Sequence, residues 1–239
     1  MTKPAKYKPL NLLNNKGFWP EKAAIVDAIK EVLTIGKCRA PLPISDYGRY
    51  RDRHWRGDDN ELVPYHSVDW YVYDALDEDR LQVNAEQILK SLATEPWRRK
   101  DVLGDHYDLF IMEEDMYDPE EGRDGSQVGY LVGRSERLTA AVISTYRIEH
   151  IWGMPYSYLK TEVMRQLCFM FAVPDVRRED VTAEGDALYC KNVCILRRAE
   201  VAPDDWERLT RERLRFGPLC EPCTQDLRRF FEQVAEEKS

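Results

Sequence analysis

Histidine is scarce in this chain. Only His54, His66, His106 and His150 occur in 239 residues. Cysteine is sparse as well: six residues, far below the density of a disulfide-stapled secreted domain. Basic charge is in deficit, with 35 Lys and Arg against 43 Asp and Glu and a net charge of −8. That balance excludes a general nucleic-acid coat, because phosphate binding needs a basic surface. No apolar run approaches the ~20 residues that span a bilayer. The stretch Met1–Gly17 carries lysines but no apolar core of signal-peptide length. A Gly-rich phosphate loop, a Gly-x-Ser-x-Gly elbow and a dinucleotide fingerprint are all missing. The expectation is a soluble, cytoplasmic protein with no membrane and no general nucleic acid among its partners.

What is present is a globular composition, 43% hydrophobic and 33% charged. The length suffices for one domain with a real core and a small extension. Ala23, Ile25, Val26, Ile29, Val32 and Leu33 recur at helical spacing and predict a helix over Pro20–Ile35. Ser45–Asn60 is charged and non-periodic and reads as a loop with solvated arginines. Ser67–Leu76, dense in Val, Trp and Tyr, predicts a strand. Val83–Thr94 reads as a helix that Asn84 can cap. Strands follow at Tyr107–Met112, Gln127–Gly133 and Thr139–Ile148, the last two joined by Gly133-Arg134-Ser135-Glu136. Tyr158–Val173 is the strongest helix. Leu159, Val163, Leu167 and Met170 form its stripe, and Met164, Cys168 and Phe171 widen it, which implies burial under a sheet. Residues 174–188 read as a polar loop, and two helices close the chain over about Asp205–Arg215 and Thr224–Glu236. Strands interleaved with helices predict an α/β fold. Residues 1–65 form an N-terminal extension with one helix and a charged loop, and residues 66–239 form the α/β domain.

Four cysteines stand out. Cys190-Lys-Asn-Val-Cys194 is followed by Cys220-Glu-Pro-Cys223, and the second pair has zinc-knuckle spacing. Four thiolates about 2.3 Å from one zinc make a closed tetrahedral structural site. The alternatives are four buried thiols or disulfides. Zinc is favoured because these cysteines sit beside polar residues and proline rather than in apolar runs. Cys168 lies on the apolar helix and reads as a packed thiol.

From Tyr107 to Leu227 the order of features resembles the archaemetzincins, metzincin-type zinc peptidases. Asp115-Met116-Tyr117, Leu131-Val132-Gly133 and Ile143-Ser144-Thr145-Tyr146-Arg147-Ile148 resemble three strand signatures of that family. The resemblance implies a metzincin-like mixed twisted sheet, a long central helix, and a C-terminal zinc-knuckle region. It also implies one structural zinc on Cys190, Cys194, Cys220 and Cys223. Here the first cysteine pair is one residue closer than in the family, and the gap to the second pair is longer.

The family's helix carries His-Glu-x-x-His-x-x-Gly, and no His-Glu-x-x-His occurs in this chain. Two histidines four apart on one helical face reach one zinc, and the glutamate between them is the general base. The matching window places Arg165, Gln166, Phe169 and Ala172 at those four positions. The third histidine falls at Asp175 by spacing, or at Tyr189 if Cys190 sets the register. Arginine stays protonated, phenylalanine has no lone pair and glutamine has no useful basicity. The expectation is a pseudo-peptidase that binds a peptide or protein. Gln127–Gly133 would be the groove's edge, with Arg165, Gln166, Phe169, Tyr189 and Tyr130 as contacts. Two alternatives stand. One is a metal-dependent hydrolase with relocated residues drawn from His106, Asp108, Glu113, Glu114, Asp115 and His150. The other is a subunit of a larger assembly docking through Trp55, Trp70 and Trp97.

Overall fold

The computed structural model describes residues 7–15, 22–38, 42–51, 62–99, 104–119, 133–149, 155–184, 187–199 and 204–236. In chain order the elements begin β1 (Leu10–Asn14), α1 (Lys22–Ile35), β2 (Ile44–Gly48), α2 (Val68–Asp74), β3 (Leu76–Asp77), β4 (Gln82–Asn84) and α3 (Ala85–Thr94). They continue β5 (Tyr107–Met112), β6 (Met116–Tyr117), β7 (Gly133–Glu136), β8 (Ala140–Ser144), α4 (Tyr146–Glu149) and α5 (Pro155–Met170). The last are β9 (Val181–Glu184), β10 (Ala187–Cys190), α6 (Asp204–Phe216) and α7 (Glu221–Glu236). The chain forms two compact units that interleave in sequence, one from Lys8–Trp19 and Pro43–His150, the other from Met1–Tyr7, Pro20–Leu42 and Ile151–Ser239. Residues 1–65 supply β1 and β2 to the former and α1 to the latter.

The sheet unit holds a five-stranded sheet in the order β2-β1-β5-β8-β7. Its first four strands run parallel, and β7 lies antiparallel to β8. This is a mixed sheet, as expected. Strands β1, β5 and β8 are buried at every residue, as continuous apolar runs in parallel sheets are. Phe110 and Met112 of β5 and Val142 of β8 alternate onto one face and pack with Ile88, Leu89 and Leu92 of α3.

Several expectations are corrected here. Ser67–Leu76 is helix α2 and not a strand. Ser67 accepts a hydrogen bond from the Trp70 amide, Asp69 lies in the first turn, and Val68, Tyr71 and Ala75 turn one helical face to the core. Capping and burial outweigh the β preference of its aromatic residues. Gly133–Glu136 is strand β7 rather than a connection. The turn falls at 137–139, and α4 shortens the following strand to Ala140–Ser144. Residues 127–132, Tyr130 among them, lie outside the described residues. The charged stretch after residue 44 begins as strand β2.

A buried ionic cluster anchors the start of β5. Arg51 binds Asp108 (2.9 Å) and Glu95 (3.0 Å), and Arg98 also reaches Asp108 (3.0 Å). His106 meets Glu95 at 2.9 Å and Asp108 at 3.2 Å, and Tyr71 donates to Glu95. Burial alone disfavours the imidazolium, yet hydrogen bonds to Asp108 and Glu95 outweigh it and raise His106 to about 9. Asp108 is likewise opposed by burial, but Arg51 and His106 hold it down to about 2.

The helical unit is built around α5. Eleven of its sixteen residues are buried, so it is enclosed on more than one side. Within its unit it packs on α1 and α6. Two of the polar groups it buries meet partners on α6. Glu162 accepts from Trp206 Nε1 (3.0 Å), and Thr161 Oγ1 meets Thr210 Oγ1 (3.0 Å) and Arg213 Nε (2.9 Å). Gly36 ends α1 where a Cβ would sit 2.5 Å from the ring of Phe231 on α7, so only glycine lets these elements approach. Residues 174–188, expected as a loop, contain β9 and lead into the antiparallel β9–β10 hairpin. No helix among the described residues is long and apolar enough to cross a membrane.

The His106 value carries a pH dependence. Its folded pKa lies above the ordinary 6.5, so its stabilisation is complete below 6.5 and lost as pH rises through about 9. The urea midpoint is therefore expected to fall between about pH 6 and about pH 10, and His106→Gln should flatten that fall. Equal pH slopes for the two proteins would contradict the account.

Candidate metal centre and the adjoining aromatic cluster

Hairpin β9–β10 ends on Cys190, and a tight turn brings back Cys194. Helix α6 stops at Gly217, whose φ of +92° is open to glycine at no steric cost. The chain then enters α7 with Cys220 just ahead of the helix and Cys223 in its first turn. The two loops are stitched by Ile195 N–H donating to the Pro218 carbonyl (3.0 Å). The result is four sulfur atoms within 4.8 Å of one another, with Cys190 and Cys220 3.6 Å apart. Four sulfurs about 2.3 Å from one tetrahedral ion stand about 3.8 Å from each other. The donor set and spacing therefore fit a four-thiolate ion, and the cluster could hold a metal.

The surroundings act unequally on the four sulfurs. Thiol-to-thiol hydrogen bonds hold Cys190 at about 7 and lower Cys220, while Cys194 and Cys223 are raised as their partners. The backbone amides of Asn192, Leu196 and Cys223 donate toward Cys190, Cys194 and Cys220 respectively. Such N–H···S contacts favour the charged sulfur. The start of α7 adds the positive end of a sixteen-residue helix. Cys168 stands apart, fully buried on α5, with burial raising its thiol to about 12. That is the environment of a packed thiol.

Beside this cluster three side chains meet. Arg165 on α5 lies 5.2 Å from the Phe169 ring centre and 6.0 Å from that of Tyr189, and the two rings stand edge to face at 5.9 Å. Arg165 is only 5% exposed, so it is no surface arginine. It donates to the Arg197 carbonyl (3.1 Å) and lies 3.8 Å from Glu162. Gln166 is turned inward, donating to Glu162 at 2.7 Å. Phe169 and Tyr189 remain half-buried. Asp175 is elsewhere, paired with Arg177 and Arg229. Ala172 closes α5 in the left-handed conformation, φ +62°, with Ala172 N–H on the Phe169 carbonyl and Val173 N–H on that of Cys168.

The structure of an archaemetzincin from Methanopyrus kandleri has a similar fold. The match has a TM-score of 0.59 and covers 95% of this chain and 96% of that one, at 16% sequence identity. The fold is archaemetzincin-like. No protein-family model matches the sequence, and no curated protein matches it.

Among the described residues, those considered for relocated chemistry do not form one site. His106 and Asp108 are buried with Glu95, and these three atoms are spaced for a metal. Arg51 Nη1, however, sits 2.9 Å from Asp108 and 3.3 Å from His106, so a cation already fills that place. Asp115 is clasped by Arg147 at 2.8 and 2.6 Å, and Glu114 by Asn15 at 2.9 Å. They border an open cavity of about 650 Å³ with Arg80 and Tyr146. His150 and Trp55 lie outside the described residues. Trp97 is core, its indole N–H on the Tyr65 carbonyl, and Trp70 packs on Tyr65 and Tyr71.

Sequence reading missed Arg178. It sits in a stretch that read as a polar loop, and only the folded chain brings it to sulfur.

Losing one sulfur should loosen the segment it closes. Cys220→Ser is expected to lower hydrogen-exchange protection in α6 and α7 and to cost several kcal/mol. Unchanged protection would contradict a structural role for the cluster.

Proposed function

We propose that this chain is a catalytically inactive, archaemetzincin-like protein that binds a peptide or protein segment. One structural zinc on Cys190, Cys194, Cys220 and Cys223 would hold its C-terminal region. A cytoplasmic setting, where thiols stay reduced, belongs to the same reading.

The observation that carries it is the meeting of Arg165, Phe169 and Tyr189. In the resemblance these are the positions of the three catalytic histidines, if Cys190 sets the register of the third. The left-handed Ala172 falls where the motif has its helix-ending glycine, which supports that alignment of the helix. Three positions that converge in space are what a zinc site needs, but the groups placed there are a cation, a hydrocarbon ring and a phenol. A guanidinium repels a metal ion, and the base position is a glutamine held by Glu162.

Two features suit binding. The half-buried Phe169 and Tyr189 offer aromatic faces over a buried guanidinium, a surface that takes apolar side chains. Among the described residues β7 ends the five-stranded sheet, and a sheet edge offers backbone hydrogen bonds to an extended peptide without any metal.

The test combines cleavage and capture on one peptide library. The expected result is no cleavage with or without added zinc, together with bound peptides whose affinity falls about tenfold in Tyr189→Ala. Cleavage abolished by a chelator and restored by zinc would overturn the proposal.

A further inference from the structure

We propose that Arg178 is the positioning residue of the four-cysteine centre, donating N–H groups to the sulfurs of Cys223 and Cys190 and so setting how tightly the centre holds zinc. The inference rests on the zinc reading above and names the residue that tunes that site.

A guanidinium has five N–H donors in a rigid fork, and here each has an acceptor. Nε and Nη2 grip the two oxygens of Asp180 at 2.8 and 2.6 Å. Nη1 donates to Asp226 Oδ2 at 2.7 Å. The remaining donor on Nη1 meets Cys223 Sγ at 3.2 Å, and that on Nη2 meets Cys190 Sγ at 3.7 Å. The carboxylates fix the plane of the fork, and the fork aims at sulfur. The two sulfurs come from different halves of the centre, one from the end of β10 and one from α7. Arg178 therefore bridges the pairs. Asp180 extends the arrangement, since it also accepts from Asn192, whose Nδ2 lies 3.8 Å from Cys220 Sγ.

An arginine kept for its ion pairs alone would have no need of the sulfurs. Nearby Arg177 is such a case: it pairs with Asp175, its side chain is 74% exposed, and no sulfur contact accompanies it. Four thiolates around a divalent ion carry two net negative charges. Oriented N–H donors spread that charge and weaken its repulsion within the site, and such outer partners are worth roughly 10- to 100-fold in metal affinity.

The experiment measures zinc affinity of the full chain by competition with a chelator of known strength, and the visible spectrum of the cobalt-loaded protein. Arg178→Met is expected to weaken zinc binding roughly 10- to 100-fold and to move the sulfur-to-cobalt charge-transfer band to lower energy, because sulfur loses its donors. Arg178→Lys, which keeps a cation for Asp180 and Asp226 but not the fork, should fall between and carries the test if the methionine variant does not fold. Arg177→Met should change neither reading. Wild-type affinity and an unmoved band in Arg178→Lys and Arg178→Met would overturn the Arg178 assignment and leave the zinc site standing. A wild-type chain that takes up neither zinc nor cobalt would overturn both.

Discussion

Two loops thirty residues apart bring four sulfur atoms together, and the C-terminal part of the chain is organised by that meeting. The segment that leads into it has little core of its own. In β9 no residue is fully buried, and in β10 only Cys190 is. Helix α6 gives its partners a narrow face of Trp206, Leu209, Thr210 and Arg213 and turns charge outward elsewhere. A hairpin and a polar helix of this kind do not close on apolar burial. A shared ion would fix both loops at once, since ligand bonds then supply folding free energy. The position of Tyr189, one residue before Cys190, depends on the same closure, and with it the aromatic cluster on α5.

The sheet unit solves a comparable problem without a metal. Glu95, His106 and Asp108 converge as tightly as ligands do, but Arg51 is built in as their counter-ion. Removing one member of such a cluster leaves uncompensated buried charge, which is why it holds the start of β5 in one arrangement. The contrast between the two clusters is chemical. Carboxylates can be matched by an arginine from the chain, whereas four thiolates call for a soft, borderline ion from solution.

The sequence made some of this readable and concealed the rest. Tyr107–Met112 was plain because a run of apolar residues at that length is a buried strand, and Asn84 announced the start of α3 by its capping chemistry. The two cysteine pairs were visible because knuckle spacing is local. Ser67–Leu76 misled because Val, Trp and Tyr favour strands, while the deciding facts, the Ser67 cap and the face shared by Val68, Tyr71 and Ala75, matter only against a core. Strand β7 was hidden by Gly133 and its polar neighbours, which pair antiparallel along β8. Arg178 and Arg51 were not legible at all. Their partners lie as far as 48 and 57 positions away, and nothing in the spacing of an arginine says which carboxylate or sulfur it will meet.

The picture that results is of an archaemetzincin-like fold with a four-cysteine cluster that could hold a metal; under the proposed reading, Arg165, Phe169 and Tyr189 stand where that family has its catalytic histidines. Its central claim concerns how many metal ions the chain carries. Elemental analysis of protein purified without added metal tests it most directly. The account predicts one zinc per chain, lost when Cys190 and Cys220 are both replaced by serine. A chain that carries no zinc, or one that carries two, would contradict it.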